Sequence, residues 1–348
     1  MRSPRILGRT PKETSRAATL TLVSLLIAQA AGAGGAATGQ PFTTEQVEMP
    51  TATGTIRGAL VVPSTPDKVP IVLIIAGSGP TDRNGNSTLL PGKNNSYKML
   101  AESLAGGGIA SLRYDKRGLG ASAKAAGAGE SSLRFDMYVD DAVSWVTQLR
   151  ADKRFSRVIV VGHSEGSLIG MLAARKAKAD GFVSIAGVAH RASEVLRDQL
   201  RPQIGALPAL WDGNETILAS LERGVAVEVL PPAIQAVPAI AQLYRPTVQP
   251  YLMSWFKFVP SAEIAALTVP VMILQGTTDI QVSVDEAKAL KAARPDAELI
   301  IVDGMNHVMK HAPPDRTQNV ATYSNPELPI VPDVPNAIVA FVRRVAHS

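Results

Sequence analysis

Ser164, Asp279 and His307 occur in that order along the chain, each following the end of an apolar run. A serine hydroxyl is a poor nucleophile at neutral pH unless a base removes its proton and a further group orients that base. Histidine can serve as the base, and a carboxylate can hold its tautomer and stabilise the imidazolium. Ser164 lies within Gly162-His163-Ser164-Glu165-Gly166, a G-x-S-x-G pentapeptide. Average glycine and serine usage gives a chain this long such a pentapeptide in roughly a tenth of cases by chance. Its setting argues against chance. Val158–Val161 is branched and apolar, as a strand buried on both faces requires. Leu168, Ile169, Met171, Leu172 and Ala173 follow at helical spacing. Strand, tight turn and helix with a serine at the apex form a nucleophile elbow, where glycines admit a strained backbone and close neighbours.

Each partner of the serine has rivals. Asp303 and Asp285 are alternative acids, and His311, beside Pro313-Pro314, is an alternative base. His163 adjoins the nucleophile but is expected to point away from it, and His190 reads as a surface residue. A developing oxyanion needs two backbone N–H donors. Glu165, the residue after the nucleophile, supplies one, and its side chain has no required role. The loop Ala76-Gly77-Ser78-Gly79-Pro80 should supply the other, with Ser78 favoured and Gly77 the neighbouring choice. The G-x-G of that loop lacks a third glycine, since position 82 is Asp, so it is not read as a dinucleotide loop. The chain has five histidines, no H-E-x-x-H and no cysteine, so no metal ligands and no cofactor are expected.

Positioning these groups takes strands that end on one side of a sheet. Residues 42–63 alternate and turn at Thr53-Gly54, a β-hairpin. Apolar strands follow at Ile71–Ile75, Ile109–Tyr114, Val158–Val161 and Phe182–Ala186. Helices separate them at Ser96–Ala105 and where Tyr138, Ala142, Trp145 and Leu149 share one face. Strands alternating with helices at this spacing imply a mostly parallel, doubly wound sheet of the α/β class. Between residues 187 and 268 strand signals vanish, and helical pieces are broken by prolines. That segment is read as a helical cap inserted into a core made of residues 42–186 and 269–348. Its end carries Tyr251, Trp255, Phe256 and Phe258, of which the first three are candidate pocket residues above Ser164. Strands resume at Val269–Leu274 and Glu298–Val302, with Ser283 and Glu286 as a capping box for the helix between them. A last helix carries Ile338, Phe341, Val342 and Val345 on one face.

The formal net charge of +5 suggests a nucleic-acid partner only until it is located. Residues 1–16 carry +4 of it, and no basic stripe occurs elsewhere, so no nucleic-acid partner is expected. The basic start is followed by the apolar run Ala17–Ala30, too short to span a bilayer comfortably and closed by Ala28-Gln29-Ala30. Residues 1–30 therefore read as a cleaved signal peptide and residues 31–41 as a disordered linker, with an N-terminal anchor as the alternative. A periplasmic or secreted protein without a stable membrane span is expected.

GHSEG, Asp115-x-Arg117-Gly118-x-Gly120-x-Ser122, GTTD and GMNH together resemble the α/β-hydrolase superfamily. GSGPTDRNGN and PYLMSWFKFVP are similar to its bacterial short-chain carboxylesterase and S33-peptidase-like branch. The resemblance covers residues 45–345. It implies the α/β-hydrolase fold with an inserted cap, a Ser164-Asp279-His307 triad and hydrolysis of short-acyl carboxylic esters, small molecules, through an acyl-enzyme. Ala76 stands where many esterases carry histidine, which leaves the second oxyanion donor open. An aminopeptidase, amidase or acyltransferase could use the same triad, and a fold without catalysis could serve as a binding module.

Overall fold

The structure is a computed structural model that describes residues 41–347. The expected signal peptide and nearly all of the expected linker lie outside the described residues. Eight strands form one sheet: β1 (Phe42–Thr51), β2 (Gly54–Pro63), β3 (Val69–Ile75), β4 (Ala110–Tyr114), β5 (Phe155–His163), β6 (Gly181–Ile185), β7 (Val271–Gly276) and β8 (Glu298–Val302). Their spatial order is β1-β2-β4-β3-β5-β6-β7-β8. β1 and β2 form an antiparallel hairpin, β2 pairs antiparallel with β4, and every later pairing is parallel.

Parallel strands need crossovers, and helices supply them. α1 (Ser96–Gly106), α2 (Phe135–Ala151) and α3 (Glu165–Ala177) connect the first half of the sheet. Six helices lie between β6 and β7: α4 (Ala192–Ile204), α5 (Pro208–Glu222), α6 (Pro232–Gln235), α7 (Pro238–Leu243), α8 (Gln249–Trp255) and α9 (Pro260–Ala265). α10 (Val284–Ala293), α11 (Arg316–Ala321) and α12 (Asp333–His347) complete the chain.

Side chains alternate across the strands, so each strand feeds two cores. Leu73, Ile75, Val158, Val160, Phe182 and Ile273 face α2, α3 and α10. Val72, Ile74, Ile159, Val161, Val183 and Leu274 face α1 and α12. Each such side chain contributes about 1.5–3 kcal/mol on burial. Both faces of the parallel strands are covered, which is why Ile71–Ile75 and Val158–Val161 are continuously apolar. The helices between β6 and β7 bury a third cluster of their own, with Ile217, Leu218, Tyr244 and Leu252 at its centre. α8 also docks on α2: Trp255 stacks on Phe135 at 5.9 Å, and the Phe135 N–H donates to the Ser254 hydroxyl at 2.8 Å.

Three local expectations shift. β7 begins at Val271 rather than Val269, because Pro270 has no N–H to give a ladder, although its carbonyl still accepts from Phe182. β6 ends at Ile185, and Ala186 turns with φ of 49°. The Ser283–Glu286 capping box does not form. Ser283 precedes α10 without a side-chain cap, and the Glu286 carboxylate reaches the Ala189 N–H and the His190 ring instead.

Candidate active site

β5 delivers Ser164 at its carboxyl end, and Glu165 opens α3 immediately after it. The turn is so tight that Ser164 sits at φ 54°, ψ −122°, a conformation that costs a non-glycine residue about 1–3 kcal/mol. Close packing of the elbow depends on its glycines. A Cβ added at Gly162 would stand 2.2 Å from the Gly166 carbonyl oxygen, and one at Gly166 would stand 2.3 Å from that of Ile75. The Ser164 N–H is held by the Ile185 carbonyl at 2.9 Å.

β7 and β8 end on the same side of the sheet, and the loops after them carry Asp279 and His307. His307 Nδ1 lies 2.8 Å from Asp279 Oδ2. The Asp279 carboxylate also accepts from the Gln281 and Val282 N–H groups at 2.8 and 3.0 Å and from Gln275 Nε2 at 3.2 Å. Burial works to raise the Asp279 pKa, but the neighbouring His307 and the hydrogen bonds outweigh it and hold the group below its ordinary value. An ionised, fully bonded carboxylate fixes His307 with Nδ1 protonated and Nε2 free to take a proton. Asn306 shapes the loop, accepting from the Lys310 N–H at 3.0 Å and donating to Thr322 at 2.7 Å. The rival acids stand elsewhere: Asp303 is exposed and accepts from Thr277, and Asp285 is exposed beside Lys288. His311 is exposed.

His163 is not a bystander. Its Nε2 lies 2.7 Å from the His307 carbonyl, and its Nδ1 lies 2.8 Å from the Tyr97 hydroxyl. A carbonyl can only accept, so Nε2 carries the proton and Nδ1 accepts from Tyr97. The Tyr97 oxygen in turn accepts the Gly77 N–H at 3.1 Å. This chain of hydrogen bonds ties the Gly77 loop, the elbow and the His307 loop together. Burial, aided by the neighbouring His307, pushes the His163 pKa down to about 3, which keeps it neutral and the chain intact.

The same bonds separate the two candidates for the second oxyanion donor. Gly77 cannot serve, because its N–H is committed to Tyr97. Ser78 is exposed, and its N–H makes no hydrogen bond among the described residues. The loop is close to Ser164: a Cβ at Gly77 would lie 3.2 Å from the Ser164 Cβ. Glu165, in the first position of α3, has an N–H with no helical acceptor to its amino-terminal side.

Glu165 does more than lend its amide. Its buried carboxylate accepts from Lys116 Nζ at 2.6 Å and from the Tyr251 hydroxyl of α8. Lys116 Nζ also donates to the Gly77 carbonyl at 2.7 Å and lies over the Tyr138 ring. Gly77 C=O and Ser78 N–H belong to one planar peptide. Lys116 therefore pins the peptide that presents the free Ser78 N–H.

The aromatic residues at the end of the insertion divide. Tyr251 reaches Glu165, next to Ser164. Trp255, partly buried, stacks on Phe135, and Phe256 is buried in the cluster of the helices between β6 and β7. Spacing of i and i+4 put Tyr251 and Trp255 on one face, but that face meets α2. His190 is exposed, as expected, and pairs with Glu286, whose hydrogen bond raises its pKa. Among the described residues no group of three or more His, Asp or Glu could hold a metal ion, and no helix is long and apolar enough to cross a membrane.

Known proteins share this architecture. The sequence profile of the serine aminopeptidase family S33 matches residues 92–214. Esterase EstD of Thermotoga maritima is 31% identical over 260 residues, covering 73% of this chain and 58% of its own length. The chain thus spans little more than half of that relative. Among solved structures, the α/β hydrolase GrgF of Penicillium superposes with a TM-score of 0.56 at 18% identity, covering 88% of this chain and 100% of its own. Est1E of Butyrivibrio proteoclasticus gives 0.55 at 17% identity, covering 87% of this chain and 99% of its own.

Proposed function

We propose that this chain, which has the α/β-hydrolase fold of its structural neighbours, is a serine hydrolase of carboxylic esters acting through an acyl-enzyme on Ser164. The observation that carries the reading is the buried His307–Asp279 pair at the strand ends beside a strained serine. His307 Nε2 takes the Ser164 proton as Oγ attacks the ester carbonyl carbon. The N–H groups of Glu165 and Ser78 hold the oxyanion, and Asp279 stabilises the imidazolium. The tetrahedral intermediate collapses, the C–O bond to the alcohol breaks, and His307 returns the proton to the departing alkoxide oxygen. Water then attacks the acyl-enzyme, with His307 again as base, and releases the acid. Asp115 and Ser122 serve as scaffold: Asp115 accepts from the Arg83 and Ala121 N–H groups, and Ser122 accepts from that of Arg57.

Esters are favoured over aminoacyl substrates because an aminopeptidase needs free carboxylates to receive an α-ammonium. Glu165, the carboxylate next to Ser164, is taken by Lys116, and Glu215 and Glu222 by Arg197, whereas Asp198, Asp212 and Glu228 are exposed. Tyr251, anchored beside the nucleophile, closes the space an acyl chain needs, so short acyl groups are preferred. Residues 1–30 direct export and are removed, with residues 187–268 acting as the cap over the site. A screen of p-nitrophenyl esters against aminoacyl p-nitroanilides on purified protein tests the assignment. Turnover of aminoacyl anilides above that of acetyl and butyryl esters would replace it with the aminopeptidase reading. Intact mass of protein from the native host tests export, and retention of Met1 would refute it.

A further inference from the structure

A cleft of about 410 Å³ opens on the side of the sheet that carries α1. Arg83, Lys93, Lys98 and Arg113 line it, together with neutral side chains that include Asn84 and Asn95, and no carboxylate does. Arg113 is the unusual member. It stands in β4 with 5% of its surface exposed; Nε donates to Asn84 Oδ1 at 3.1 Å, and Nη1 is buried without a hydrogen bond among the described residues.

Arginine cannot shed its charge, so a desolvated guanidinium with an open donor calls for an anion. Burial lowers the Arg113 pKa, in keeping with a cation short of counter-charge. The nearby carboxylates are engaged elsewhere. Asp115 accepts from the backbone of Arg83 and Ala121 and pairs with the Arg83 side chain at 3.5 Å. Asp82 accepts from the Asn84 and Asn86 N–H groups of its own loop, and Glu102 pairs with Lys98 at 3.6 Å on the surface. Lys93 is exposed and has no ionic partner among the described residues.

We propose that this cleft binds a phosphate group, free or carried on a small molecule, with Arg113 and Arg83 at its base and Lys93 and Lys98 at its mouth. Guanidinium forks match phosphoryl oxygens in geometry, and flexible ammonium groups add point charges around them. The volume falls within the range of small-ligand sites and exceeds what one phosphate fills, which leaves room for the molecule that carries it. The proposal is independent of the ester chemistry, since the cleft shares no residue with the triad.

Calorimetric titration of the full chain with inorganic phosphate and with glucose 6-phosphate, at constant ionic strength set by KCl, tests it. Saturable one-site binding is expected, weakened about tenfold or more in Lys93→Ala/Lys98→Ala, whose side chains are exposed and so spare the fold. Tighter binding of the sugar phosphate would identify a carried phosphate, and equal affinities would identify the free ion; both support the site. Absence of saturation with either probe, or equal affinity in the double variant, would overturn it.

Discussion

Replacing Lys116 with methionine should damage both stability and turnover, by separable routes. Lys116 and Glu165 form an ion pair with side chains only 4% and 2% exposed. Removing one partner of a buried pair costs about 3–5 kcal/mol, because the remaining charge is stranded. Against a typical total stability of about 5–15 kcal/mol, Lys116→Met should fold with a markedly lower denaturation midpoint. Adding Glu165→Gln removes the stranded carboxylate while keeping a partner for the Tyr251 hydroxyl, so Lys116→Met/Glu165→Gln should recover most of the loss. Turnover should not recover with it. Without Nζ, the Gly77 carbonyl loses its 2.7 Å donor, and the Gly77–Ser78 peptide is free to rotate away from the oxyanion. Deleting an oxyanion donor outright costs about 10²–10³ in rate. A donor that is present but unpinned should cost less, of order 10–100-fold, in kcat rather than KM. Urea denaturation followed by steady-state kinetics on p-nitrophenyl acetate reads both quantities. A double variant with wild-type kcat would refute the peptide-pinning role, and a single variant as stable as wild type would refute the buried pair.

Two further outcomes follow from the geometry. His163 has a folded-state pKa near 3 against an ordinary 6.5, so below pH 6.5 the unfolded chain binds the proton that the folded chain refuses. Stability should therefore fall as pH drops from about 6.5 towards 3, by up to of order 4 kcal/mol; His163→Gln should flatten that slope, and an unchanged slope in urea titrations would contradict the neutral assignment. Trp255→Ala should loosen the docking of α8 on α2, at a cost of about 3–5 kcal/mol, and should leave the acyl-chain optimum on p-nitrophenyl esters unmoved; a shift towards longer chains would return Trp255 to the pocket.

Much of the fold was legible because the strands are covered on both faces and so read as unbroken apolar runs, as at Ile71–Ile75 and Val158–Val161. The placement of Ser164, Asp279 and His307 just past strand ends, and the meeting of His307 with Asp279, were legible for a related reason: each follows such a run, and parallel strands deliver their ends to one side of the sheet. What escaped is long-range. Whether Gly77 or Ser78 offers its N–H depends on Tyr97, twenty residues onward, and no local pattern links them. Lys116 is an unspecified position of the Asp115–Ser122 motif, and its partner Glu165 is 49 residues away. His163 and the Glu165 side chain were set aside because the residues that give them work, Tyr97, His307 and Lys116, are brought there only by the sheet. At Tyr251 and Trp255 helical spacing shows which residues share a face but not that this face meets α2.

The central claim is that Ser164 is the nucleophile activated by His307. Rapid mixing with p-nitrophenyl acetate, acid quench and peptide mass analysis tests it most directly. A burst of p-nitrophenol equal to the enzyme concentration, with an acetyl group on the peptide that carries Ser164, is expected, and both should vanish in Ser164→Ala and fall by several orders of magnitude in rate in His307→Ala. An acetyl group on another residue, or a full burst from Ser164→Ala, would contradict the account.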